Sequence, residues 1–202
     1  MKNLFIVFDG IDGSGKGEMI KRLADYLFSL NLNVFTTREP SQGEYGKQIR
    51  KILAEEKDPN ANAENCFELY VKDRKDHLEK EVEPFLSKGN VICDRYYYST
   101  IVYQNVQGID AGRVIEANKG FRKPDIVFIL DLPAEVALER IGKVRSIEKF
   151  EKQDFLENVR QGFLKLKEKL DNNIKIIDAS KSKSEVFNQI KKEIESYFEA
   201  CS

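Results

Sequence analysis

The sequence predicts an α/β fold in which a five-stranded parallel sheet carries helices on both faces. Five short apolar runs recur along the chain: Leu4–Phe8, Val34–Thr37, Val91–Cys93, Ile126–Leu130 and Ile174–Ile177. Longer amphipathic stretches separate them. Polar residues follow the runs at their C-terminal ends, as Asp9-Gly10, Arg38-Glu39, Asp94-Arg95, Asp131 and Asp178. Short runs rich in Val, Ile and Phe suit parallel strands buried on both faces. Their alternation with helical stretches implies crossovers that cover the sheet. Open sheets of this kind bind ligands beyond the C-terminal ends of their strands, so the repeated polar residues mark one functional edge.

The intervening elements follow from period. Phe67, Tyr70, Val71 and Leu78 recur at helical spacing, as do Phe155, Val159, Phe163, Leu166 and Leu170, and then Val186, Ile190, Ile194 and Tyr197. Glu55–Glu64 (EEKDPNANAE) reads as a loop. No internal repeat or low-complexity linker divides the chain, and its length fits one domain spanning residues 1–202.

Composition narrows the function. The chain has 33 basic and 34 acidic residues and a net charge of -1, without the basic excess expected of a binder of nucleic-acid polymers. No apolar run approaches the roughly 20 residues that cross a bilayer, and the short apolar N-terminus does not read as a signal peptide. A cytoplasmic protein without membrane partners is expected. Cys66, Cys93 and Cys201 lack metal-type spacing and read as reduced thiols. His77, the single histidine, is expected to be solvated or capping, with no catalytic role.

The strongest motif follows the first run: Gly10-Ile11-Asp12-Gly13-Ser14-Gly15-Lys16-Gly17, with the Gly-x4-Gly-Lys core of a phosphate-binding P-loop. Its glycines let successive backbone N–H groups curl around phosphate oxygens. Lys16 would reach the β- and γ-phosphates, and the helix starting there adds the positive end of its dipole. Gly17 stands where a Ser or Thr hydroxyl usually meets Mg²⁺, and Glu18 follows it. A carboxylate at a strand end, Asp9 or Asp94, could hold the ion through water instead.

A second segment, Asp94-Arg95-Tyr96-Tyr97-Tyr98-Ser99-Thr100-Ile101-Val102-Tyr103-Gln104, follows the third run. Arg95 is a planar, permanently charged group at the phosphate edge, suited to clamp an anionic acceptor. Tyr70 and Arg74, four residues apart, share a helix face.

These segments resemble the thymidylate kinases. Asp94-Arg95-Tyr96 followed by Ser99-x3-Tyr103-Gln104 is similar to that family's signature, as are Arg38-Glu39-Pro40 and the Tyr70-x3-Arg74 pair. Gln107-Gly108-Ile109-Asp110, Lys123-Pro124-Asp125, Leu130-Asp131-Leu132-Pro133 and Ala137-Leu138-Glu139-Arg140 extend the likeness over nearly the whole chain. The resemblance implies a P-loop NTPase fold with a short lid at about 140–150. It also implies transfer of phosphate from ATP to dTMP with Mg²⁺, and a homodimer. Tyr70 would stack on thymine, Arg74 would bond a thymine carbonyl, and Thr100 and Gln104 would touch the pyrimidine edge. Tyr103 would lie under the sugar and exclude a ribose 2′-hydroxyl. Arg38 and Arg95 would hold the 5′-phosphate, with Asp12 near the acceptor, and Ala179 would line the adenine pocket.

The acceptor phosphate is already ionised, so catalysis should come from alignment and charge neutralisation rather than from a strong base. Lys16, Arg95 and the lid cations Arg140, Lys143 and Arg145 are the candidates, with Arg145 closing over ATP. Two other readings compete: a related deoxynucleotide or deoxynucleoside kinase with another acceptor, and a nucleotide-binding regulator without turnover, suggested by Gly17.

Overall fold

A computed structural model describes residues 2–55, 62–142 and 153–200. In chain order these form β1 (Phe5–Asp9), α1 (Lys16–Ser29), β2 (Val34–Arg38), α2 (Glu44–Glu55) and α3 (Ala63–His77). A π-helical turn (Leu78–Val82) leads into α4 (Glu83–Leu86), followed by β3 (Asn90–Asp94), α5 (Tyr97–Val106), α6 (Ala111–Asn118) and β4 (Ile126–Asp131). Then come α7 (Ala134–Gly142), α8 (Gln153–Leu164), α9 (Leu166–Lys169), β5 (Ile174–Asp178) and α10 (Lys183–Ala200).

The strands form one sheet in the order β2-β3-β1-β4-β5, every pair parallel. Each apolar run became a strand, and each strand extends one residue further, into the polar residue that follows the run. Arg38 pairs with Asp94 and Asp131 with Asp178. Ladder hydrogen bonds belong to the backbone, so a charged side chain does not end them.

All five residues of β1 are buried. Neighbouring strand residues point to opposite faces, so this burial means that both faces are covered. The edge strands β2 and β5 are only partly buried, unlike the expectation from their composition. Phe8 and Phe128 meet across the central strands at 5.1 Å. Leu23 and Leu27 of α1, Val159 and Phe163 of α8, and Ile190 and Ile194 of α10 close over the sheet. Each fully buried aliphatic or aromatic side chain of this kind stabilises the fold by about 1.5–3 kcal/mol.

Of the loop expected over Glu55–Glu64, Glu55 belongs to α2 and Ala63 and Glu64 to α3; residues 56–61 lie outside the described residues. The π-helical turn also has a local cause. Pro84 has no N–H for the Lys80 carbonyl and its ring crowds that carbonyl, so the helix widens just before it. Among the described residues, no helix is long and apolar enough to cross a membrane.

Because β1 has β3 on one side and β4 on the other, the chain reverses its winding direction there. The crevice beyond the C-terminal end of β1 is therefore where an open α/β sheet receives a ligand.

Candidate active site

The Gly10–Gly17 loop leaves β1 at that crevice. Gly10 and Gly13 adopt φ of 134° and 79°. A Cβ on Gly13 would stand 2.5 Å from the Ala137 carbonyl oxygen of α7, so only glycine lets the loop pass there. Gly15 caps α1 without a side-chain bond, which leaves the first-turn N–H groups facing the crevice. The Ser14 hydroxyl is buried and has no partner among the described residues. Lys16 is buried, and its ammonium donates to the Gly10 and Ile11 carbonyls at 3.1 and 3.0 Å. Burial and the nearby Arg95 charge push its pKa down. Gly17 faces open space, where a side chain would meet nothing within 4 Å. Glu18 turns toward its helix neighbours, accepting from Arg22 at 2.7 Å with Lys183 at 3.6 Å.

The two acidic candidates for metal binding differ. Asp9 is fully buried and accepts from Gly10 N, Ser99 N, Ser99 Oγ and Tyr96 N at 2.6–3.3 Å. Four donors occupy the lone pairs of one carboxylate, which leaves Asp9 a structural anchor of the edge. Burial raises its pKa despite the attraction of Arg95. Asp94, by contrast, has a buried Oδ1 without a hydrogen-bond partner among the described residues. The described residues contain no group of three or more His, Cys, Asp or Glu able to hold a metal alone.

Arg95 adopts φ 69°, an uncommon backbone for a side chain of its size, directly after β3. Its guanidinium donates to Asp12 at 2.7 Å, to Ser99 Oγ at 2.8 Å and to the Gly10 carbonyl at 3.2 Å. The head group lies 5.4 Å from the Tyr103 ring centroid. The structure therefore brings together Asp12, Lys16, Arg95 and Tyr103, which the sequence places on two separate segments. Tyr103 is flanked by Phe155 and Phe163 of α8, and burial holds its hydroxyl well above the ordinary phenol pKa. Arg38 stands exposed at the end of β2.

The second half of the site surrounds Arg74, which is fully buried. Its Nε and Nη2 donate to Glu39 Oε2 at 2.9 and 2.6 Å, its Nη1 to Asn118 at 2.5 Å, and its Nη2 to Thr100 Oγ1 at 3.0 Å. The Tyr96 ring lies 5.2 Å from its head group. A guanidinium has five N–H donors, so one on Nη1 is left without an acceptor among the described residues. Tyr70, one turn earlier on α3, is half-buried, with its hydroxyl pKa raised by burial. Gln104 is buried and donates to the Ala63 carbonyl at 2.7 Å.

His77 corrects an expectation. It is neither solvated nor a cap but buried, with Nδ1 3.3 Å from Glu39 Oε1 and Nε2 2.7 Å from Thr37 Oγ1. Sequence reading also gave no role to Glu39, Ser99, Asn118 or Phe155. Glu39 carried a signal, a carboxylate directly beyond an apolar strand, but nothing local names its partner 35 residues away.

Arg140 donates to the Ala179 carbonyl at 3.1 Å, tying α7 to the loop after β5. Lys143 and Arg145 lie outside the described residues. Arg160 of α8, a cation not singled out in the sequence, forms a bidentate pair with Asp131 at 2.6 and 3.0 Å.

Comparison with known proteins places the chain in a family. The family model described as thymidylate kinase matches residues 8–190. A protein of Methanocaldococcus jannaschii described as a probable thymidylate kinase is 42% identical over 189 residues, covering 93% of this chain and 94% of its own. One of Archaeoglobus fulgidus with the same description is 37% identical over 196 residues, 96% of each chain. The thymidylate kinase of Brachyspira hyodysenteriae is 36% identical over 193 residues, covering 94% of this chain and 92% of its own. The matched span takes in the phosphate loop, the Tyr70–Arg74 face and the segment from Asp94 to Gln104 alike, and the chain belongs to the thymidylate kinase family.

Proposed function

We infer that this protein phosphorylates dTMP to dTDP with ATP as the donor. The observation that carries this reading is the position of Arg95, fixed at the mouth of the phosphate loop beside Asp12 and Tyr103. There it can present a second anion in line with the first. Lys16 and Arg95 both bond the carbonyl of Gly10. Phosphate oxygens arriving from the two substrates would replace those contacts. Lys16 then neutralises charge on the β- and γ-phosphates, while Arg95, with Arg38, orients the acceptor phosphate as nucleophile. Two anions held at a fixed distance need no strong base, so alignment and charge neutralisation supply the rate.

The residues present fit Mg²⁺ held at a distance. Gly17 offers no hydroxyl, whereas Asp94 Oδ1, without a partner among the described residues, is an acceptor suited to a metal-bound water. The ion, when bound, screens the phosphate oxygens of ATP. Tyr70 supplies a face for the base, Arg74 its remaining N–H for a carbonyl, and Thr100 and Gln104 the flanking edge. Tyr103 leaves no room for a 2′-hydroxyl. Ala179 lies at the adenine, and Arg145, with Arg140 and Lys143, closes over ATP. A single kinase domain with its lid at about 140–150, a homodimer and a cytoplasmic location belong to the same proposal.

ADP release with Mg²⁺-ATP and a panel of nucleoside monophosphates tests it. The expected order is dTMP, then dUMP, with ribonucleotides far behind. Lys16→Ala should lose about 100- to 1,000-fold in turnover. Equal use of UMP and dUMP would remove the role given to Tyr103, and ATP consumption independent of acceptor would remove the kinase reading.

A further inference from the structure

We propose that His77 is a positioning residue for base selection: through Glu39 it fixes the guanidinium of Arg74, without touching the substrate. The proposal rests on the reading that Arg74 bonds a carbonyl of the base. Tyr70, Arg74 and His77 stand at i, i+4 and i+7 of α3, one face of the helix. Arg74, Glu39 and His77 are all buried, at 0%, 3% and 2% exposure, so none has water to fall back on.

A carboxylate only accepts, so His77 Nδ1, 3.3 Å from Glu39 Oε1, donates there. Nε2 meets the Thr37 hydroxyl at 2.7 Å, and that hydroxyl donates to Glu81 Oε2 at 3.2 Å. The ring is thus pinned between β2 and Glu39. Glu39 divides its two oxygens, giving Oε1 to His77 and Oε2 twice to Arg74. Without His77 the carboxylate could turn about its side-chain torsions, and the fork it grips would turn with it. The free Nη1–H of Arg74 would then lose its aim. That N–H favours a base with a carbonyl at the pyrimidine 4-position over one with an amino group there. The π-helical turn begins at the next residue, a helix defect often retained at functional sites, and it carries Glu81 to within 3.2 Å of Thr37.

The test compares His77→Leu, His77→Asn and Arg74→Met in the full-length chain. It reads kcat, KM for dTMP and for ATP, the inhibition constant of dCMP, and the melting temperature. His77→Leu should raise the dTMP KM about tenfold and narrow the preference for dTMP over dCMP by a similar factor. Its kcat and ATP KM should stay within about twofold by the same reasoning, since the phosphate edge is untouched. His77→Asn, which can place an amide donor near the Nδ1 position, should recover most of the loss. If His77→Leu is not recovered folded, His77→Gln, whose longer side chain cannot place its donor there, takes its place.

An unchanged dTMP KM and dCMP preference in the His77 variant, with both altered in Arg74→Met, overturns the proposal alone. An Arg74→Met variant with neither altered overturns the base-contact reading and the proposal with it. An equal fall in kcat/KM for both substrates, tracking the melting temperature, assigns His77 to stability only and also overturns it.

Discussion

The phosphate loop and the pocket around Arg74 share one edge of the sheet but are built in opposite ways. The loop is contiguous backbone, Gly10–Gly17, shaped by the positive φ of its glycines and by the start of α1. The pocket is made of side chains brought from β2, the segment after it, α3, α5 and α6: Thr37, Glu39, Arg74, His77, Thr100 and Asn118. Helix α5 joins the two, since Ser99 bonds Asp9 and Arg95 while its neighbour Thr100 bonds Arg74. A site made of backbone tolerates side-chain change but not the loss of a conformation. A buried network of side chains tolerates neither an unpaired charge nor an unmatched donor.

The largest expected effect falls on the pocket. Glu39→Ala leaves Arg74 buried without its counter-ion, which should cost about 3–5 kcal/mol. For a chain of this size that lowers the melting temperature by about 10 °C; thermal unfolding followed by circular dichroism measures it. A fall of only a degree or two would mean that the network is not what holds this region. Next comes the loop. Gly13→Ala sets a methyl group 2.5 Å from the Ala137 carbonyl at a φ of 79°, so the loop must shift. A displacement of about 1 Å at the reacting groups can cost about 100-fold in turnover, with a smaller effect on the melting temperature. Wild-type ADP release by this variant would show that the loop depends less on glycine than the comparison holds. The smallest effect is expected of Gly17→Ser, whose side chain enters open space. It should change stability by less than about 0.5 kcal/mol. The added hydroxyl should also lower the Mg²⁺ concentration for half-maximal turnover about two- to threefold, as a single added ligand in a water-rich metal site would. A raised Mg²⁺ requirement would contradict the view that the metal is held at a distance.

The loop was legible in the sequence because its information is local. Eight adjacent residues specify a turn, a row of N–H groups and a lysine, and a strand and a helix flank them. The helix face of Tyr70 and Arg74 could be read for the same reason, as could Arg95 at the end of β3. What those side chains bond was not legible. The pairing of Arg95 with Asp12 spans 83 residues, and that of Asp9 with Ser99 spans 90. Asp9 and Asp94 look equivalent as acidic strand ends, yet one is saturated by donors and the other keeps an oxygen without a partner among the described residues. His77 looked like a surface residue because a histidine among charged neighbours usually is one. Its partners, Thr37 of β2 and Glu39 just beyond it, lie about 40 residues away, and the sequence does not show that the fold brings them to it.

The sequence by itself determined the strands, the parallel sheet, the curled phosphate loop and the family. These follow from period, chain stiffness and glycine, which act over a few residues. The tertiary structure decided which carboxylate is spent on structure, what grips Arg74, and that the one histidine faces inward. Those outcomes depend on which groups are buried together, and burial makes a polar group take whatever partner the fold brings within about 3 Å.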